Sequence, residues 1–423
     1  MKPLPHQLST AAELVATTKR FGYSLLFGLP RSGKTLTTLL ALESFKATTI
    51  LILCPKSAIP GWNLFINDPE LKPYLTKQYI VTNYESIGSW KKRTTSANGK
   101  PLSKPISEFH PKIDSDSYQL VVCDEAHRIG TVGKPKQRYK SLQIMLQDKP
   151  HINLTGTPFI ESNALASYYQ FCFPKYTPFT HKSFYDFFRD WGIKSTIFLY
   201  GKEVNQYKLA KPELLDYIAH FTVNMSQSDA GIDDSIQAVD KLHYIPMSAG
   251  TVQLLNKLHS DKVITVDNQL ILADTVLKEN LIAYQIEGGT LKIDEDYTIL
   301  PNSEKIDYIR QVWGDSPDVA ILCLFKSEET KLRSELPNCH IYSSLRHAEG
   351  VDLSHHKHLV VYSMSASGSK YTQLRERGVN VSNTEQAIVH FLLSKGQQSH
   401  INYERVTAKD EYNNHSYTHT KDN

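Results

Sequence analysis

The sequence predicts an α/β protein made of two tandem domains, each with a parallel β-sheet at its centre. Two series of short apolar runs indicate this, because continuous apolar strands separated by helical segments are typical of parallel sheets covered on both faces. The first series comprises Ser24–Phe27, Thr49–Cys54, Gln78–Thr82, Leu120–Cys123 and His151–Leu154. The second comprises Val319–Leu324, His358–Tyr362 and Ala387–Leu393. The length of 423 residues also exceeds what one ordinary hydrophobic core holds.

A polar, turn-rich stretch, Ser226–Gly231, places the boundary between the domains near residues 225–245. We therefore expect a first domain over residues 1–225 and a second over residues 226–408. Aromatic residues crowd Tyr168–Tyr200, and their spacing favours a packed helical subdomain, over about residues 165–225, rather than a stacking platform for single strands. The composition of residues 90–104 is typical of an exposed basic loop, and that of residues 409–423 of a flexible tail.

Residues 28–35 read Gly-Leu-Pro-Arg-Ser-Gly-Lys-Thr, a complete G-x-x-x-x-G-K-[ST] phosphate-binding loop. An apolar strand precedes the loop and a helical run follows it, so a bound phosphate would meet the free N–H groups of a helix N-terminus. In such a loop the lysine contacts the β- and γ-phosphates and the last hydroxyl binds Mg²⁺. The pattern predicts a nucleotide site that includes Gly28, Pro30, Arg31, Ser32, Gly33, Lys34 and Thr35.

Two adjacent carboxylates, Asp124 and Glu125, follow a buried strand in the sequence Asp-Glu-Ala-His. Ligands of open parallel sheets bind at this carboxyl edge. A magnesium–nucleotide complex needs a carboxylate there, and the activation of water needs a second acceptor beside it. We expect Thr35 and Asp124 to bind Mg²⁺, and Glu125 to orient and polarise the attacking water.

The overall composition restricts the partners and the compartment. The net charge is only +3, so a site for a polyanion must come from local clustering of basic residues. The five cysteines include no C-x-x-C pair, which predicts a reducing compartment with neither a zinc site nor a disulfide framework. No stretch approaches about 20 apolar residues and the N-terminus lacks an apolar signal core, so we expect a cytoplasmic protein without a membrane span.

An Asp-Glu-Ala-His sequence after a phosphate-binding loop resembles the DEAH-box proteins of helicase superfamily 2. Further segments of the first domain resemble the Swi/Snf-like branch of double-strand translocases. They are Pro5-His6-Gln7 (the Q motif, in which Gln7 would contact adenine), Leu53–Ser57 with Trp62 (motif Ia), Val81–Glu85 (motif Ib), Lys134-Pro135 with Arg138–Lys140 (a basic helix) and Leu154–Pro158 (motif III). In the family, motif III links the ATP state to the DNA-binding surface.

The resemblance continues more weakly into the second domain. The matching segments are Tyr244–Ser248 (an opening strand), Asn302–Asp307 (the stretch before motif IV), Ala320–Phe325 (motif IV) and Ser343–Leu353 (motif V). Ser344, Gly350 and Asp352 stand at matching positions of motif V, although the family's fuller glycine run is absent.

Motif VI departs most from the family pattern, Gln-x-x-Gly-Arg-x-x-Arg. The corresponding segment is Tyr371–Gly378, in which Arg375 and Arg377 are candidate arginine fingers for the transferring phosphate. Such a finger contributes about 10³–10⁵ in rate. The compressed spacing leaves open which of the two arginines acts.

The resemblance spans residues 3–405 and implies two RecA-like lobes with ATP and Mg²⁺ bound in the cleft between them. It implies that the catalytic residues are Lys34, Asp124, Glu125, Arg375 and Arg377, with Gly350 and Asp352 as further nucleotide contacts. Sequence-neutral translocases grip the phosphate backbone. The residues implied to contact nucleic acid are Lys56, Ser57, Thr82, Asn83, Thr155, Lys326, Ser344 and Arg346.

The function implied is an ATP-dependent translocase or helicase acting on duplex or branched DNA. Replication, recombination and repair are the expected settings, with a replication, recombination or nuclease protein as the expected partner. Two alternatives stay open: an RNA-remodelling DEAH helicase, and a nucleotide-gated nucleic-acid clamp with weak hydrolysis, which only the irregular motif VI favours. The compact size suggests a minimal machine of phage or mobile-element type.

Overall fold

The computed structural model describes residues 3–28, 32–95, 98, 101–146, 148–156, 163–199, 201–225, 238–293, 296–343, 353, 355–375 and 387–418. The chain divides into two compact units. Unit 1 comprises Met1–Gly231 with Ser416–Asn423, and unit 2 comprises Ile232–His415. None of the described helices combines the length and the apolar character needed to cross a membrane.

Unit 1 is an α/β unit with six of its strands in one sheet. It contains, in chain order, α1 (Pro5–Phe21), β1 (Tyr23–Gly28), α2 (Lys34–Glu43), β2 (Thr49–Cys54), α3 (Ile59–Ile66), β3 (Gln78–Asn83), β4 (Gly88–Thr95), β5 (Pro101–Pro111), β6 (Leu120–Asp124), α4 (Gln137–Leu146), β7 (His151–Thr155), α5 (Ser167–Phe171), α6 (Phe184–Trp191), β8 (Gly192–Leu199), β9 (Lys202–Ala210), α7 (Glu213–Ala219) and β10 (Thr222–Met225).

The central sheet of unit 1 has the strand order β10-β1-β7-β6-β2-β3, and every neighbouring pair is parallel. The five predicted strands of this half are confirmed, and β10 is an additional edge strand that the sequence did not reveal. Because all six strands run in one direction, the chain segments that follow them emerge at one carboxyl edge. The register aligns Phe27 with Thr155, and Asp124 with Leu154, which brings the predicted motifs to that edge.

Side chains of the central strands alternate between two hydrophobic clusters. Leu51, Leu53 and Cys123 belong to one cluster, whereas Ile52 and Val122 belong to the other. All five are buried. Helices on both faces of the sheet therefore explain why these strands appear in the sequence as continuous apolar runs.

The aromatic residues after β7 form part of the core of unit 1. The sequence predicts that these rings pack against one another, and the structure confirms this. The buried aromatic residues are Tyr168, Tyr169, Phe171, Phe173, Phe179, Phe184 and Phe187. They share one cluster with sheet residues such as Leu25 and Val121, so they do not form a core of their own. The region is also not purely helical, because β8 and β9 interrupt it.

Two antiparallel hairpins of unit 1 lie outside the central sheet: β4–β5 and β8–β9. The first replaces the exposed basic loop predicted over residues 90–104. Alternating charged and polar residues in β4 and β5 resemble a loop in sequence, but cross-strand pairing orders them. Trp90 fixes the base of this hairpin by donating a hydrogen bond from Nε1 to Oγ of Ser141, at 2.8 Å.

Unit 2 is also α/β. It contains, in chain order, β11 (Val239–Tyr244), α8 (Ala249–Asp261), β12 (Val263–Val266), β13 (Gln269–Leu272), α9 (Val276–Glu287), β14 (Thr290–Ile293), β15 (Asp296–Ile299), α10 (Glu304–Val312), β16 (Val319–Cys323), α11 (Lys326–Glu335), β17 (His340–Ser343), β18 (His358–Val361), α12 (Gly368–Arg375), β19 (Ile388–Leu393) and α13 (Gln398–Thr418). Helix α13 extends into the segment for which the sequence predicts a flexible tail.

The sheet of unit 2 has the order β11-β19-β18-β16-β17 and is parallel throughout. The three strands predicted for this half are confirmed, and the α/β class with two parallel sheets is therefore confirmed for the chain. The expected opening strand over Tyr244–Ser248 was misplaced, because β11 ends at Tyr244 and pairs with β19 over Val239–Tyr244. Between β11 and α10, a pair of helices and two small hairpins form a separate hydrophobic cluster.

His151 lies fully buried at the start of β7, between the rings of Tyr23 (centroids 6.0 Å apart) and Phe173 (5.0 Å). Burial lowers the pKa of this imidazole from 6.5 to about 3. The folded state therefore binds fewer protons than the unfolded state below pH 6.5, and stability falls as the pH decreases. Tyr23 stays neutral across this range, since burial raises its pKa to about 12.

We expect the His151→Leu variant to lose part of the acid sensitivity of the native chain. Between about pH 7 and about pH 5, His151 should lower the free energy of unfolding by about 2 kcal/mol. Urea unfolding at the two pH values measures this difference in both proteins. The matched control is His110→Leu, which changes an exposed histidine of β5 and should keep the native pH dependence. An unchanged pH dependence in His151→Leu would contradict the burial argument.

Candidate functional site

The phosphate-binding loop begins where β1 ends, at Gly28, and leads into α2 at Lys34. Gly33 precedes the helix with φ of +89°, a left-handed conformation that glycine adopts without strain. The Lys34 ammonium donates a hydrogen bond from Nζ to the carbonyl oxygen of Gly28, at 2.6 Å. This bond joins the first residue of the loop motif to its lysine. Pro30 and Arg31 lie outside the described residues.

Gln7 of the Q motif is buried against this loop. A Cβ atom at Gly33 would lie 2.3 Å from Nε2 of Gln7, so the end of the glutamine side chain lies directly beside the loop. The Oε1 atom of Gln7 accepts a hydrogen bond from the backbone N–H of Leu4, at 2.9 Å, and so caps α1. The structure therefore brings Gln7 to the phosphate loop, whereas its contact with adenine stays a prediction.

Asp124 lies at the end of β6 and is held by three hydrogen bonds. Its Oδ2 accepts from Nε1 of Trp62 at 2.9 Å, and its Oδ1 accepts from the backbone N–H of Glu125 at 2.9 Å. Its backbone oxygen accepts from the hydroxyl of Tyr84 at 2.7 Å. Burial and the neighbouring Glu125 raise the pKa of the Asp124 carboxyl to about 6. A bound cation would favour its ionised form.

Glu125 has φ of +51°, a conformation that few residues other than glycine adopt. It precedes a short 3₁₀ helix, Ala126–Ile129. Its buried Oε2 atom lies 3.2 Å from Nδ1 of His127 and has no hydrogen-bond partner among the described residues. Burial raises the pKa of this carboxyl, but His127, Lys34 and Arg128 together bring it below the ordinary value. Glu125 is therefore ionised at neutral pH, as an acceptor of a water proton must be.

His127 connects the acidic motif to motif III. Its Nδ1 atom lies 3.0 Å from Oγ1 of Thr155, at the end of β7. Thr155 is fully buried. The sequence predicts Thr155 as a contact for nucleic acid. In the described conformation its hydroxyl lies beside His127 inside unit 1, so that contact stays a prediction.

The charges of the phosphate loop and of the acidic motif interact. Burial lowers the pKa of Lys34, and the carboxylates of Glu125 and Asp124 oppose that effect. The three ionisable groups predicted for ATP hydrolysis in unit 1 are thus close enough to interact, although β7 separates β1 from β6 in the sheet.

The residues at this edge fit a magnesium–nucleotide complex. Ser32 has a buried hydroxyl without a hydrogen-bond partner among the described residues, and a Cβ atom at Gly28 would lie 2.6 Å from it. Thr35 and Asp124 carry hard oxygen atoms of the kind that Mg²⁺ prefers and would hold the ion. No group of three or more His, Cys, Asp or Glu that could hold a metal occurs in the described part of the chain.

The predicted nucleic-acid residues of motifs Ia and Ib lie together. Lys56 and Ser57 follow β2 in a short 3₁₀ helix, and Thr82 and Asn83 end β3. The register pairs Leu53 with Thr82 and Cys54 with Asn83, so both segments emerge side by side at the carboxyl edge. Lys56 is exposed, and the other three are half-buried.

The basic segment after the acidic motif is only partly available for a polyanion. Arg138 donates to Oε1 of Glu85 at 2.6 Å and to the carbonyl oxygen of Arg128 at 2.9 Å, so its charge is already engaged. Tyr139 is buried and donates to the carbonyl oxygen of Cys172. The exposed cations here are Lys134, Lys136 and Lys140.

In unit 2, Arg375 lies at the end of α12 and its guanidinium group makes two hydrogen bonds. Its Nε donates to Oδ1 of Asp240 at 2.8 Å, and its Nη2 donates to the carbonyl oxygen of Ala238 at 2.5 Å. The hydroxyls of Tyr371 and Tyr403 donate to Oδ2 of the same aspartate. Arg375 therefore connects the motif VI helix to β11 within unit 2.

The other predicted residues of unit 2 are placed only in part. Lys326 is exposed at the start of α11, directly after β16 and Phe325. The remaining candidates lie outside the described residues; they are Ser344, Arg346, Gly350, Asp352 and Arg377.

Three residues that make hydrogen bonds to Asp124 or Arg375 were not predicted to do so from the sequence. Trp62 and Tyr84 were recognised only as members of motifs Ia and Ib, and Asp240 was not recognised. Their partners lie 62, 40 and 135 positions away in the chain, so only the strand order brings them together. The one available clue was that aromatic residues with polar tips follow apolar strands.

The comparison with family models agrees with this geometry. The model of the SNF2-related domain matches residues 24–288, which include the phosphate loop, the acidic motif and motif III. The search of curated proteins found no match. Since the matched segment covers more than half of the chain, the chain belongs to the SNF2-related family of helicase-type ATPases in superfamily 2, whose members have tandem RecA-like lobes and act on nucleic acids.

Proposed function

We propose that this protein is a DNA-dependent ATPase that moves along duplex or branched DNA. The observation that carries the proposal is the set of hydrogen bonds around Asp124. Its carboxylate is bonded to Trp62 on α3, which follows Lys56 and Ser57, and its carbonyl oxygen is bonded to Tyr84, which follows Thr82 and Asn83. One residue of the nucleotide site thus contacts both segments that carry the candidate nucleic-acid residues.

The chemistry follows from the same residues. Lys34 would hold the β- and γ-phosphates, and Glu125 would orient the attacking water and accept its proton. Mg²⁺ held by Thr35 and Asp124 would neutralise charge on the phosphate oxygens. A change in the position of Asp124 during the cycle would shift Trp62 and Tyr84, and with them the segments proposed to grip the phosphate backbone.

We propose Arg377 as the arginine finger. Arg375 already makes hydrogen bonds to Asp240 and Ala238, and to act on a nucleotide it would have to break both. Arg377 is two residues further along and is the remaining basic candidate in the predicted motif VI.

The test is an ATPase assay of the full chain with duplex, forked, four-way and single-stranded DNA and with RNA. We expect duplex-containing DNA to stimulate hydrolysis most. Stimulation by RNA alone would favour the RNA-remodelling alternative, and tight ATP binding without hydrolysis under any condition would favour the clamp.

Lys34→Ala should lower the stimulated hydrolysis by about 10²-fold or more, since it removes a charge aimed at the transferring phosphate. The matched control is Lys46→Ala, which removes an exposed lysine just beyond the other end of α2 and should leave turnover unchanged. Full turnover in Lys34→Ala would contradict the assignment of the nucleotide site.

A further inference from the structure

The β4–β5 hairpin of unit 1 concentrates the positive charge of the chain. Residues 88–111 contain five basic residues and one acidic residue, a net charge of +4 with histidine neutral. The whole chain has 47 basic and 44 acidic residues, so 42 and 43 remain outside the hairpin and nearly cancel. A chain with so small a net charge can attract a polyanion only where its basic residues cluster. This hairpin is such a cluster.

The lysines of the hairpin keep their charge for a partner, whereas its arginine does not. Arg93 is paired with Glu108, with Nε 2.7 Å from Oε1, and its Nη1 donates to the carbonyl oxygen of Thr95 at 2.9 Å. No ion pair between described residues engages the exposed lysines, which are Lys91, Lys92 and Lys104. Specific reading of guanine edges usually needs a free arginine fork, while lysine serves phosphates as a point charge. The hairpin therefore suits the backbone of a nucleic acid without regard to its sequence.

The charge lies on both faces of the hairpin. Neighbouring residues of a strand point to opposite faces, so the side chains of Lys91 and Lys92 are divided between them. Across the strands, Lys91 pairs with Glu108 and Lys92 with Ser107. A single strand lying against the hairpin would meet one of these faces, whereas a groove of a duplex has phosphates on both sides. The major groove of B-form DNA is about 12 Å wide and admits a two-stranded ribbon, and that of A-form RNA is too narrow.

The base of the hairpin is joined to motif Ib by a hydrogen-bonded turn. Oδ1 of Asn83 accepts from the backbone N–H groups of Glu85 and Ser86, at 3.0 and 2.9 Å. The backbone N–H of Lys112 donates to the carbonyl oxygen of Ile87 at 2.8 Å, and the Ile87 side chain is buried. The hairpin thus begins five residues after a candidate nucleic-acid contact, at the carboxyl edge of the sheet.

The hairpin is also held against α4, the helix of the basic segment. Nε1 of Trp90 donates to Oγ of Ser141 at 2.8 Å, and the Trp90 ring packs on Phe109 of the second strand, with centroids 5.4 Å apart. Exposed Lys140 precedes Ser141 on this helix. The hairpin therefore lies next to both segments of unit 1 that carry candidate phosphate contacts.

We propose that the β4–β5 hairpin lies in the major groove of duplex DNA and contacts the phosphates on its two sides through Lys91, Lys92 and Lys104. This inference rests on the proposed function and deepens it, because it assigns the preference for a B-form duplex to one element of unit 1. The hairpin would add phosphate contacts to those expected from motifs Ia and Ib.

The test measures how the affinity of the full-length protein for a fluorescent DNA duplex depends on salt. One variant combines Lys91→Ala, Lys92→Ala and Lys104→Ala. Between about 50 and 200 mM salt, the slope of log affinity against log salt should become shallower by about 2 to 3, since each phosphate contact contributes about 0.9. The affinity at about 100 mM salt should fall at least tenfold. The corresponding triple Lys→Arg variant keeps the charges and should keep the native slope.

The matched control removes the same charge from the other hairpin of unit 1. It combines Lys194→Ala, Lys202→Ala and Lys208→Ala, three exposed lysines of β8 and β9. The slope should change by less than about 1 in this variant. A native slope in the β4–β5 variant would overturn the assignment. Equal losses in the two variants would overturn it as well, because they would show an effect of net charge.

Duplex RNA tests the placement in the groove. The narrow major groove of A-form RNA should exclude the hairpin, so the β4–β5 substitutions should change the salt slope for an RNA duplex by less than about 1. Equal losses with the DNA and RNA duplexes would overturn the groove placement.

The two levels of the proposal fail differently. If duplex DNA stimulates hydrolysis by the native protein and the β4–β5 variant binds DNA as the native protein does, the hairpin assignment is wrong and the translocase stands. If no nucleic acid stimulates hydrolysis by the native protein, the proposed function itself is wrong.

Discussion

Glu125→Gln should lower the rate of ATP hydrolysis by about 10²–10⁴-fold, the contribution of a positioned general base. The amide keeps the size and shape of the carboxylate but cannot accept the proton of the attacking water. The geometry supports a chemical role for this residue. Glu125 occupies a left-handed backbone conformation at the carboxyl end of a buried strand, and its Oε2 atom is buried without a hydrogen-bond partner among the described residues.

Nucleotide binding should survive this change. We expect Lys34 and the phosphate loop to hold the phosphates, and the Lys34 ammonium also has a bond to the Gly28 carbonyl that the substitution leaves in place. Two quantities are therefore measured: first the hydrolysis rate at saturating ATP and DNA, and second the dissociation constant for a fluorescent ATP analogue. We expect the second to change by less than about threefold.

The matched control for this variant is Glu213→Gln, which neutralises an exposed glutamate in the first turn of α7. It should leave both quantities at the native values. A native hydrolysis rate in Glu125→Gln would exclude the base role and would leave Asp124 as the acidic residue that matters. Loss of binding along with hydrolysis would indicate that the carboxylate supports the loop instead.

The central strands of both units could be predicted from the sequence because their residues are buried on both faces. Runs such as Thr49–Cys54 admit few other structures, and the observed β2 has the same bounds. The hairpins could not be predicted in this way. In β4 and β8, charged residues mix with apolar ones without a buried face, and only pairing with β5 and β9 gives these segments a structure.

The residues of the candidate site likewise divide into those that could be predicted from the sequence and those that could not. Lys34, Asp124 and Glu125 are adjacent to glycines or strand ends within local motifs, so the sequence identified them directly. The residues that position them belong to other segments: Trp62 on α3 and Tyr84 after β3 meet Asp124 only because β2 lies between β6 and β3 in the sheet. The burial of Thr155 could not be predicted either, since its motif is shared with loops that contact DNA in the family that the chain resembles.

Arg377→Ala should lower ATP hydrolysis by about 10³–10⁵-fold, the contribution of an arginine finger, without changing the stability of the protein. The comparison with Arg375→Ala makes this a sharp test, because the two residues are neighbours in the same motif. Arg375 is half-buried, and its guanidinium bonds to Asp240 and lies 5.3 Å from the centre of the Tyr371 ring. Its removal should destabilise unit 2 by about 2 kcal/mol, because a charge-assisted hydrogen bond to a largely buried carboxylate is lost.

The two variants should therefore separate activity from stability. Arg377→Ala should melt at the native temperature and hydrolyse little ATP, whereas Arg375→Ala should melt earlier and keep most of its hydrolysis at a temperature where it is folded. Asp240 would still accept hydrogen bonds from Tyr371 and Tyr403 in the second variant, which is why we expect it to fold. The reverse pattern, a stable but inactive Arg375→Ala, would mean that the bonds to Asp240 and Ala238 break during the ATP cycle. Asp240 would then be a carboxylate that holds the finger away from the nucleotide until that step.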